Sequence, residues 1–182
     1  MTREEFLAKY AAGERDFKGA DFSGVELIGA DLTYADLSGA TLIGADLSDA
    51  DLSDATLIGA DLRDATLINA DLRCANLNGA TLTDATLINA DLRRAKLIGA
   101  DLRDTNLSEA DLRRAKLSGA NLREANLREA NLSRAKLIGT KLSGANLVGA
   151  DLSDADLSGA KLIGADRTNA IMSVNVTGTN FG

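Results

Sequence analysis

Leucine recurs at every fifth position along most of this chain, and a small residue, usually alanine, stands two positions before it. Phenylalanine takes the place of leucine in the first two units. The pattern runs without insertion through the 150 residues from Arg15 to Gly164, which divide into thirty units of five. Two residues apart on an extended strand, both side chains point to one face. The next alanine follows three residues later, so the alternation breaks once per unit and predicts a turn there.

A five-residue period does not fit an α-helix. At about 100° per residue, a step of five rotates the apolar side chains by roughly 140°, so no continuous apolar stripe forms. Alanine and leucine favour helix by intrinsic propensity, but the period outweighs that preference. Alanine, aspartate, asparagine and glycine are also poor strand formers. The register between neighbouring turns of the chain must therefore hold the structure together.

Glycine occupies every twentieth position from Gly19 to Gly159 without a gap, and a second column at this interval carries Asp or Asn from Asp31 to Asp151. These columns indicate four units per coil, with one corner that needs a residue tolerant of positive φ. The sequence predicts an all-β fold: a four-sided parallel β-solenoid of about eight coils, roughly 40 Å long. The residues expected at the centre of its core are Phe17, Phe22, Leu32, Leu52, Leu72, Leu92, Leu112, Leu132 and Leu152.

The repeated A-(D/N)-L-x-x unit resembles the pentapeptide-repeat family over most of the chain. The resemblance implies a right-handed quadrilateral parallel β-helix, and the hand of the coil rests on the resemblance alone. We expect one repeat domain over residues 15–182, preceded by a capping segment over residues 1–14.

The first residues differ from the repeat and predict a short helix. Thr2 followed by Glu5 has the spacing of a capping box, and Gly13 is a common helix stop. The apolar positions at helical spacing are Phe6, Leu7, Tyr10 and Ala11. We expect this amphipathic helix to cover the open first coil and protect its strand edge. A helix that binds a partner is the alternative.

The last residues leave the five-residue frame. Arg167 stands where leucine is expected, and Ile171, Val176 and Phe181 then restore the spacing one residue early. We interpret this as one four-residue unit at 165–168, followed by units in a shifted frame. An uncovered end coil would expose backbone groups and apolar side chains. We therefore expect an end-to-end homodimer through the C-terminal coil, with a frayed but tolerated end as the alternative.

The net charge of −7 is unevenly spread. Residues 1–70 carry five basic and fourteen acidic side chains, residues 71–145 carry thirteen and nine, and the remainder carry two and four. A candidate acidic interaction patch consists of Asp46, Asp49, Asp51, Asp54, Asp61 and Asp64. A basic counterpart lies within residues 93–141. The alternative is that these charges only keep a strand-rich rod in solution.

The sequence lacks the residues that several kinds of chemistry require. The chain has no histidine and a single cysteine, Cys74, so we expect no disulfide, no cysteine zinc site and no histidine base. No phosphate-binding loop or nucleophile motif appears in the sequence. We therefore expect that the protein is not an enzyme and that it has no cofactor. Four carboxylates could hold calcium weakly, namely Asp46, Asp49, Asp51 and Asp54. The glycine-rich nonapeptide of calcium-binding β-rolls is absent from the sequence, which disfavours specific calcium binding. The first ten residues lack the apolar core of a signal peptide, so we expect a cytoplasmic location.

The sequence therefore predicts a non-catalytic structural or protein-interaction scaffold of unknown partner. The family resemblance implies an alternative, because members linked to quinolone resistance resemble duplex DNA in width and charge and occupy DNA gyrase. The acidic stretch is confined to the first third of this chain and the middle is basic, which disfavours such a DNA mimic. Ice binding would require a flat face of stacked threonines, and it is disfavoured because only Thr66 and Thr86 stack. Nucleic-acid binding is also disfavoured, because the basic stretch has no aromatic residues that could stack on bases.

Overall fold

The structure, a computed structural model, describes residues 1–182 and contains one helix followed by a coiled chain. Helix α1 spans Arg3–Ala11. From Asp16 to Asp151, the polar residue before each leucine or phenylalanine forms a parallel bridge to the residue twenty positions later, beginning with Asp16 and Asp36. One coil therefore takes twenty residues and four units, as the columns of the sequence predict.

The sides of the coil are shorter than the strands that the sequence predicts. Every bridge is isolated, and no run of residues is long enough to count as a named strand. The reason is the turn in every unit, which leaves only the bridged residue and its leucine extended. The expected parallel strands are thus corrected to a ladder of single bridges.

Hydrogen bonds between successive coils hold this ladder. In a typical unit, the Leu52 N–H donates to the carbonyl of Asp71 in the next coil at 2.7 Å, and the Asp51 N–H donates to Ala30 in the preceding coil at 3.0 Å. The corner residue also donates to the next coil. The following alanine closes a turn by donating to the leucine carbonyl three residues before it. Four of the five N–H groups of the unit are therefore satisfied by backbone carbonyls.

The fifth N–H, on the residue after leucine, is satisfied by a side chain. The Ser53 N–H donates to Oδ1 of Asp51 at 2.9 Å, and the same bond recurs in most units that carry Asp or Asn at this position. Asp and Asn side chains favour this local bond to the backbone two residues on. Units with Thr or Lys there lack the bond, and isoleucine commonly follows their leucine, as at Ile58 and Ile98.

All four corners adopt positive φ, which corrects the expectation that only the glycine corner does. Asp64, Asn69 and Cys74, one at each of the other three corners, have φ values of 58°, 56° and 61°. Space does not explain the glycine column either, since a Cβ added at Gly39 would meet no atom within 4 Å. Nothing in the structure explains why this corner alone stays glycine through eight coils.

Leucine and alanine form one continuous core along the axis of the rod. All nine predicted centre positions are buried, namely Phe17, Phe22, Leu32, Leu52, Leu72, Leu92, Leu112, Leu132 and Leu152. Two alanine positions carry threonine, and both threonines are fully buried. The hydroxyl of Thr105 donates to the Leu82 carbonyl at 2.8 Å and that of Thr140 to the Leu117 carbonyl at 3.2 Å. Neither buried hydroxyl is therefore unsatisfied.

Helix α1 begins with the capping box that its sequence predicts. The Glu5 N–H donates to the Thr2 hydroxyl at 3.2 Å, and the Thr2 N–H donates to the Glu5 carboxylate at 2.9 Å. At the other end of α1, the Tyr10 hydroxyl donates to the carbonyl of Thr33 at 2.7 Å. These bonds fix both the start of the helix and its position against the coils.

One aromatic cluster joins α1 to the first coils. Phe6 is fully buried, and its ring centre lies 4.9 Å from that of Phe17 and 5.6 Å from that of Phe22. Tyr10 is also buried, whereas Leu7 is 38% exposed. The expected apolar stripe is therefore narrower than the sequence indicates: Phe6 and Tyr10 cover the core, and Leu7 lies at its margin.

The four-residue unit lies later than the sequence analysis places it. The last bridges join Asp151 to Ile171, Asp156 to Asn175 and Lys161 to Asn180. Their separation changes from twenty to nineteen after the first of these, so the short unit is 171–174 and not 165–168. Met172 takes the leucine position and packs against the core, while Ile171 is exposed.

The last coil has no cover within these residues. Arg167 keeps its place at a leucine position, half-buried, with its guanidinium 4.9 Å from the centre of the Phe181 ring. A charged group is tolerated there because one side of this coil faces solvent. Ile171 and Val176 are exposed on the same coil.

We predict that Phe6→Ala lowers the free energy of unfolding by about 3–5 kcal/mol, because it leaves a cavity beneath α1. Leu7→Ala is the matched control on the same helix and should cost about 1 kcal/mol or less. Urea unfolding followed by circular dichroism measures both. Equal losses for the two variants would show that the helix does not close the core through Phe6.

Candidate functional site

The surface of the rod offers two kinds of position, faces and corners. On the faces, the polar residue before each leucine is bonded within its own unit: Asp46 accepts from the N–H of Ser48 at 3.0 Å and from its hydroxyl at 2.6 Å. At the corners, side chains project away from the coil, and most are exposed, as at Asp54 and Arg94. Side chains that can meet a partner without weakening the fold are therefore the corner ones.

The six predicted patch carboxylates are divided between these two classes. Asp46, Asp51 and Asp61 are half-buried face residues, and Asp49, Asp54 and Asp64 are exposed corner residues. They also lie on three successive sides of the coil, so they do not form one flat patch. Asp61 is further neutralised by the guanidinium of Arg63 at 2.7 Å. The binding role of the three corner carboxylates stays a prediction.

One face carries a zigzag of arginine and aspartate through the middle of the rod. The Arg93 Nε donates to Asp91 of its own unit at 2.8 Å and lies 3.7 Å from the carboxylate of Asp111 in the next coil. Arg73 and Arg113 bind the aspartates of their own units in the same way. Each such pair adds little to stability because the arginines are exposed and water screens their charge. The zigzag neutralises charge that would otherwise stack on like charge.

Arginine contacts lower the pKa of two face carboxyls, Asp61 and Asp111. The Arg63 guanidinium hydrogen-bonds Asp61 and holds the pKa of that carboxyl below its ordinary value of 3.8. For Asp111, burial raises the pKa, but the hydrogen bonds from the Arg113 side chain and N–H lower it by more. These carboxylates are thus held charged and fixed in place.

A second row of arginines stands at the adjoining corner. Arg94, Arg114 and Arg134 lie in three consecutive coils, and both arginine rows line a groove of about 730 Å³. At this corner Asp54 precedes the arginines and Asp154 follows them. The basic stretch that the sequence predicts is therefore resolved into an edge, which we call the basic edge and define as Arg94, Arg114 and Arg134. The lysines of the same stretch belong to other columns, with Lys96, Lys116 and Lys136 stacked on the next face.

The opposite corner carries carboxylates that the sequence analysis missed, apart from the first. We call this the acidic edge and define it as Asp64, Asp84, Asp104 and Glu124, all exposed. Their twenty-residue spacing was the signal that could have found them. Each lies ten residues, or half a coil, before a residue of the arginine corner, so the two edges are diagonal.

Other sites of the fold add little chemistry. Cys74 is a free, exposed cysteine that lines the groove beside the basic edge. No three histidine, cysteine or acidic side chains converge to hold a metal ion. Helix α1 is the single helix, and no helix has the length and hydrophobicity that crossing a membrane requires.

Comparison with known families gives one result. The model described as pentapeptide repeats matches the chain in eight copies, over residues 16–49, 45–84, 75–114, 105–144, 130–166 and 140–181. No curated protein matches the chain in a sequence comparison.

Several solved structures are similar to this chain. HetL from the cyanobacterium Nostoc sp. strain PCC 7120, a pentapeptide repeat protein involved in heterocyst differentiation regulation, is 36% identical over 99% of this chain and 94% of its own, with a TM-score of 0.48. QnrB1, a plasmid-mediated fluoroquinolone resistance protein, is 23% identical over 90% and 85%, with a TM-score of 0.44. The protein alr5209 from Nostoc PCC 7120 is 41% identical over 58% and 80%, with a TM-score of 0.35.

We predict that the fold loses stability in acid. A carboxyl whose pKa is lower in the folded chain, such as Asp61 or Asp111, stabilises the fold above its unfolded pKa, and that contribution is lost as the pH falls through the folded value. The urea midpoint should be flat between about pH 5 and 8 and fall below about pH 4.

A double variant, Asp61→Asn with Asp111→Asn, is the control, because an amide still accepts the backbone hydrogen bond but does not titrate. Its midpoint should fall less between pH 5 and pH 3 than that of the parent chain. Identical acid profiles for the two proteins would contradict the assignment of these carboxyls.

Proposed function

The chain belongs to the pentapeptide repeat family, and from that premise we propose that it is a non-catalytic structural or protein-interaction scaffold of unknown partner. The observation that carries the proposal is the division of its surface. Face carboxylates are used to satisfy their own backbone, whereas corner side chains vary in type at one backbone conformation. The rod thus presents columns of side chains at a fixed rise of about 4.8 Å per coil.

The corners support binding because substitution there leaves the core intact. The same positive φ is adopted by aspartate, glutamate, asparagine, arginine, cysteine and tyrosine. Side-chain identity at a corner is therefore free to be set by what it meets outside the coil. Repeat proteins of extended shape use such exposed surfaces for binding.

A DNA mimic is the alternative function, and it is weaker for this chain. A mimic needs a long acidic face, but the middle coils carry the arginine rows of the groove. Residues 71–145 are also a basic stretch, with thirteen basic and nine acidic side chains. A gyrase supercoiling assay separates the two proposals, since a scaffold without this role leaves supercoiling unchanged at tens of micromolar.

We also propose an end-to-end homodimer through the C-terminal coil. Support comes from the uncovered last coil, where Ile171 and Val176 are 55% and 42% exposed and Phe181 is only partly buried. We expect a dimer in sedimentation at micromolar concentration and a monomer after Val176→Asp, which places a charge in the contact. A monomeric parent chain would remove the dimer from the account. The right-handed winding and the cytoplasmic location also stay proposals, taken from the family resemblance and the sequence.

We predict that changes at corners, and not changes on faces, alter partner binding. The corner variant is Asp49→Asn, Asp54→Asn and Asp64→Asn; the face control is Asp46→Asn with Asp51→Asn, in which the amides still accept the backbone bonds. Quantitative pull-downs from native lysate compare both with the parent chain, after thermal unfolding has shown that all three are folded. The corner variant should lose partners that the control keeps. Equal recovery by all three would show that the corner carboxylates bind nothing.

A further inference from the structure

The basic edge holds two arginines that no carboxylate of the chain pairs with. Arg94 and Arg114 take part in no ion pair, and Arg134 reaches only Asp154, at 3.4 Å. The adjoining face row behaves differently, because Arg73, Arg93 and Arg113 each bind an aspartate of their own unit. The basic edge is thus a short ladder of positive charges in which Arg94 and Arg114 have no ion-pair partner and Arg134 has one.

The acidic edge is its counterpart on the diagonal corner. None of its four carboxylates takes part in an ion pair, although arginines stand beside it. Arg63 and Arg103 bind the face residues Asp61 and Asp101 instead, at 2.7 Å in both cases. Like charges stacked at bridge spacing repel one another. Arg63 and Arg103 attract the acidic edge but are bound to face aspartates, so a molecule of opposite charge outside the coil relieves this repulsion further.

The two edges match one another in spacing and in level. Both repeat every twenty residues, so both have the rise of the same coil, about 4.8 Å. Asp84 and Arg94 lie ten residues apart on one coil, as do Asp104 with Arg114 and Glu124 with Arg134. Two parallel copies laid side by side at one level therefore bring opposite charges together on three consecutive coils.

We propose that the chain associates side by side with a second copy of itself, the acidic edge of one copy docking along the basic edge and groove of the next. The spacing of charges along the rod favours a second copy over a peptide or a nucleic acid as the partner. An extended peptide repeats its same-face side chains about every 6.6 Å, and successive phosphates along a DNA strand rise about 3.4 Å. Neither spacing matches three rungs of 4.8 Å, whereas a second copy matches all of them. Acidic residues at both ends of the groove, Asp54 and Asp154, also disfavour a long polyanion.

The contact joins two different surfaces, and this fixes the form of the assembly. A heterologous contact without ring closure leaves one free acidic edge and one free basic edge on every row of copies. The rows are therefore open-ended and grow with concentration. The paired charges are exposed, so added salt screens them. An end-to-end contact between apolar residues would not respond to salt in this way.

The test uses two variants that each keep one edge. The first carries Arg94→Gln and Arg114→Gln, and the second carries Asp84→Asn and Asp104→Asn. A chain with all four changes gives the reference size, and a chain with Lys116→Gln and Lys136→Gln is the charge-matched control on a neighbouring face. All chains also carry Val176→Asp, which prevents end-to-end pairing. Sedimentation velocity is measured at about 50 mM and about 500 mM salt.

At low salt, the chain with both edges and the lysine control should grow beyond dimers with concentration, and both should return to the reference size at high salt. Each one-edged variant alone should stay at the reference size. An equimolar mixture of the two should form a complex of one copy of each and nothing larger, because each supplies the edge that the other lacks. The proposal is overturned if the two-edged chain keeps the reference size, if a one-edged variant assembles alone, or if the mixture shows no complex.

Discussion

Every five-residue unit must find partners for five backbone N–H groups, and this requirement determines most of the structure. In a typical unit, four bond to backbone carbonyls, three of them in neighbouring coils, and the fifth bonds to the side chain of the Asp or Asn that most units carry two residues before it. A buried unsatisfied N–H costs about 1–3 kcal/mol. The coil therefore has to be stacked, and an Asp or Asn before the leucine satisfies the remaining N–H in the units that carry one. The leucine core alone would specify neither.

This requirement also separates structure from function on the surface. An aspartate on a face looks like a free charge in the sequence but is bound to its own backbone and, in several units, to arginine. A corner residue has satisfied its N–H through the next coil and is held at positive φ, so its side chain has no task in the fold. Binding by this protein is best sought at the corners, where side chains of one charge sign are stacked and most take part in no ion pair.

Sequence periodicity predicts the period, the coil of twenty residues, the inward leucines and the capping helix, because each follows from which side chains are apolar. Three features could not be predicted from the pattern of apolar side chains. The face aspartates were interpreted as surface charge, since composition does not distinguish a carboxylate that accepts an N–H from one in solvent. Positive φ was predicted only for the glycine column, because the other corners carry residue types that rarely adopt it. At the C-terminus, Ile171 and Met172 are both apolar, so spacing alone did not reveal which of them enters the core.

The most direct test of this account is amide hydrogen exchange at Ser53, followed by NMR in the parent chain, Asp51→Asn and Asp51→Ala. We predict that Ser53 exchanges slowly, relative to its intrinsic rate, in the first two. In Asp51→Ala its exchange should be faster by about tenfold or less, which corresponds to a hydrogen bond of about 1 kcal/mol, while Leu52 remains protected. Equal exchange of the Ser53 N–H in all three chains would contradict the account, because the fifth N–H would then not depend on the side chain.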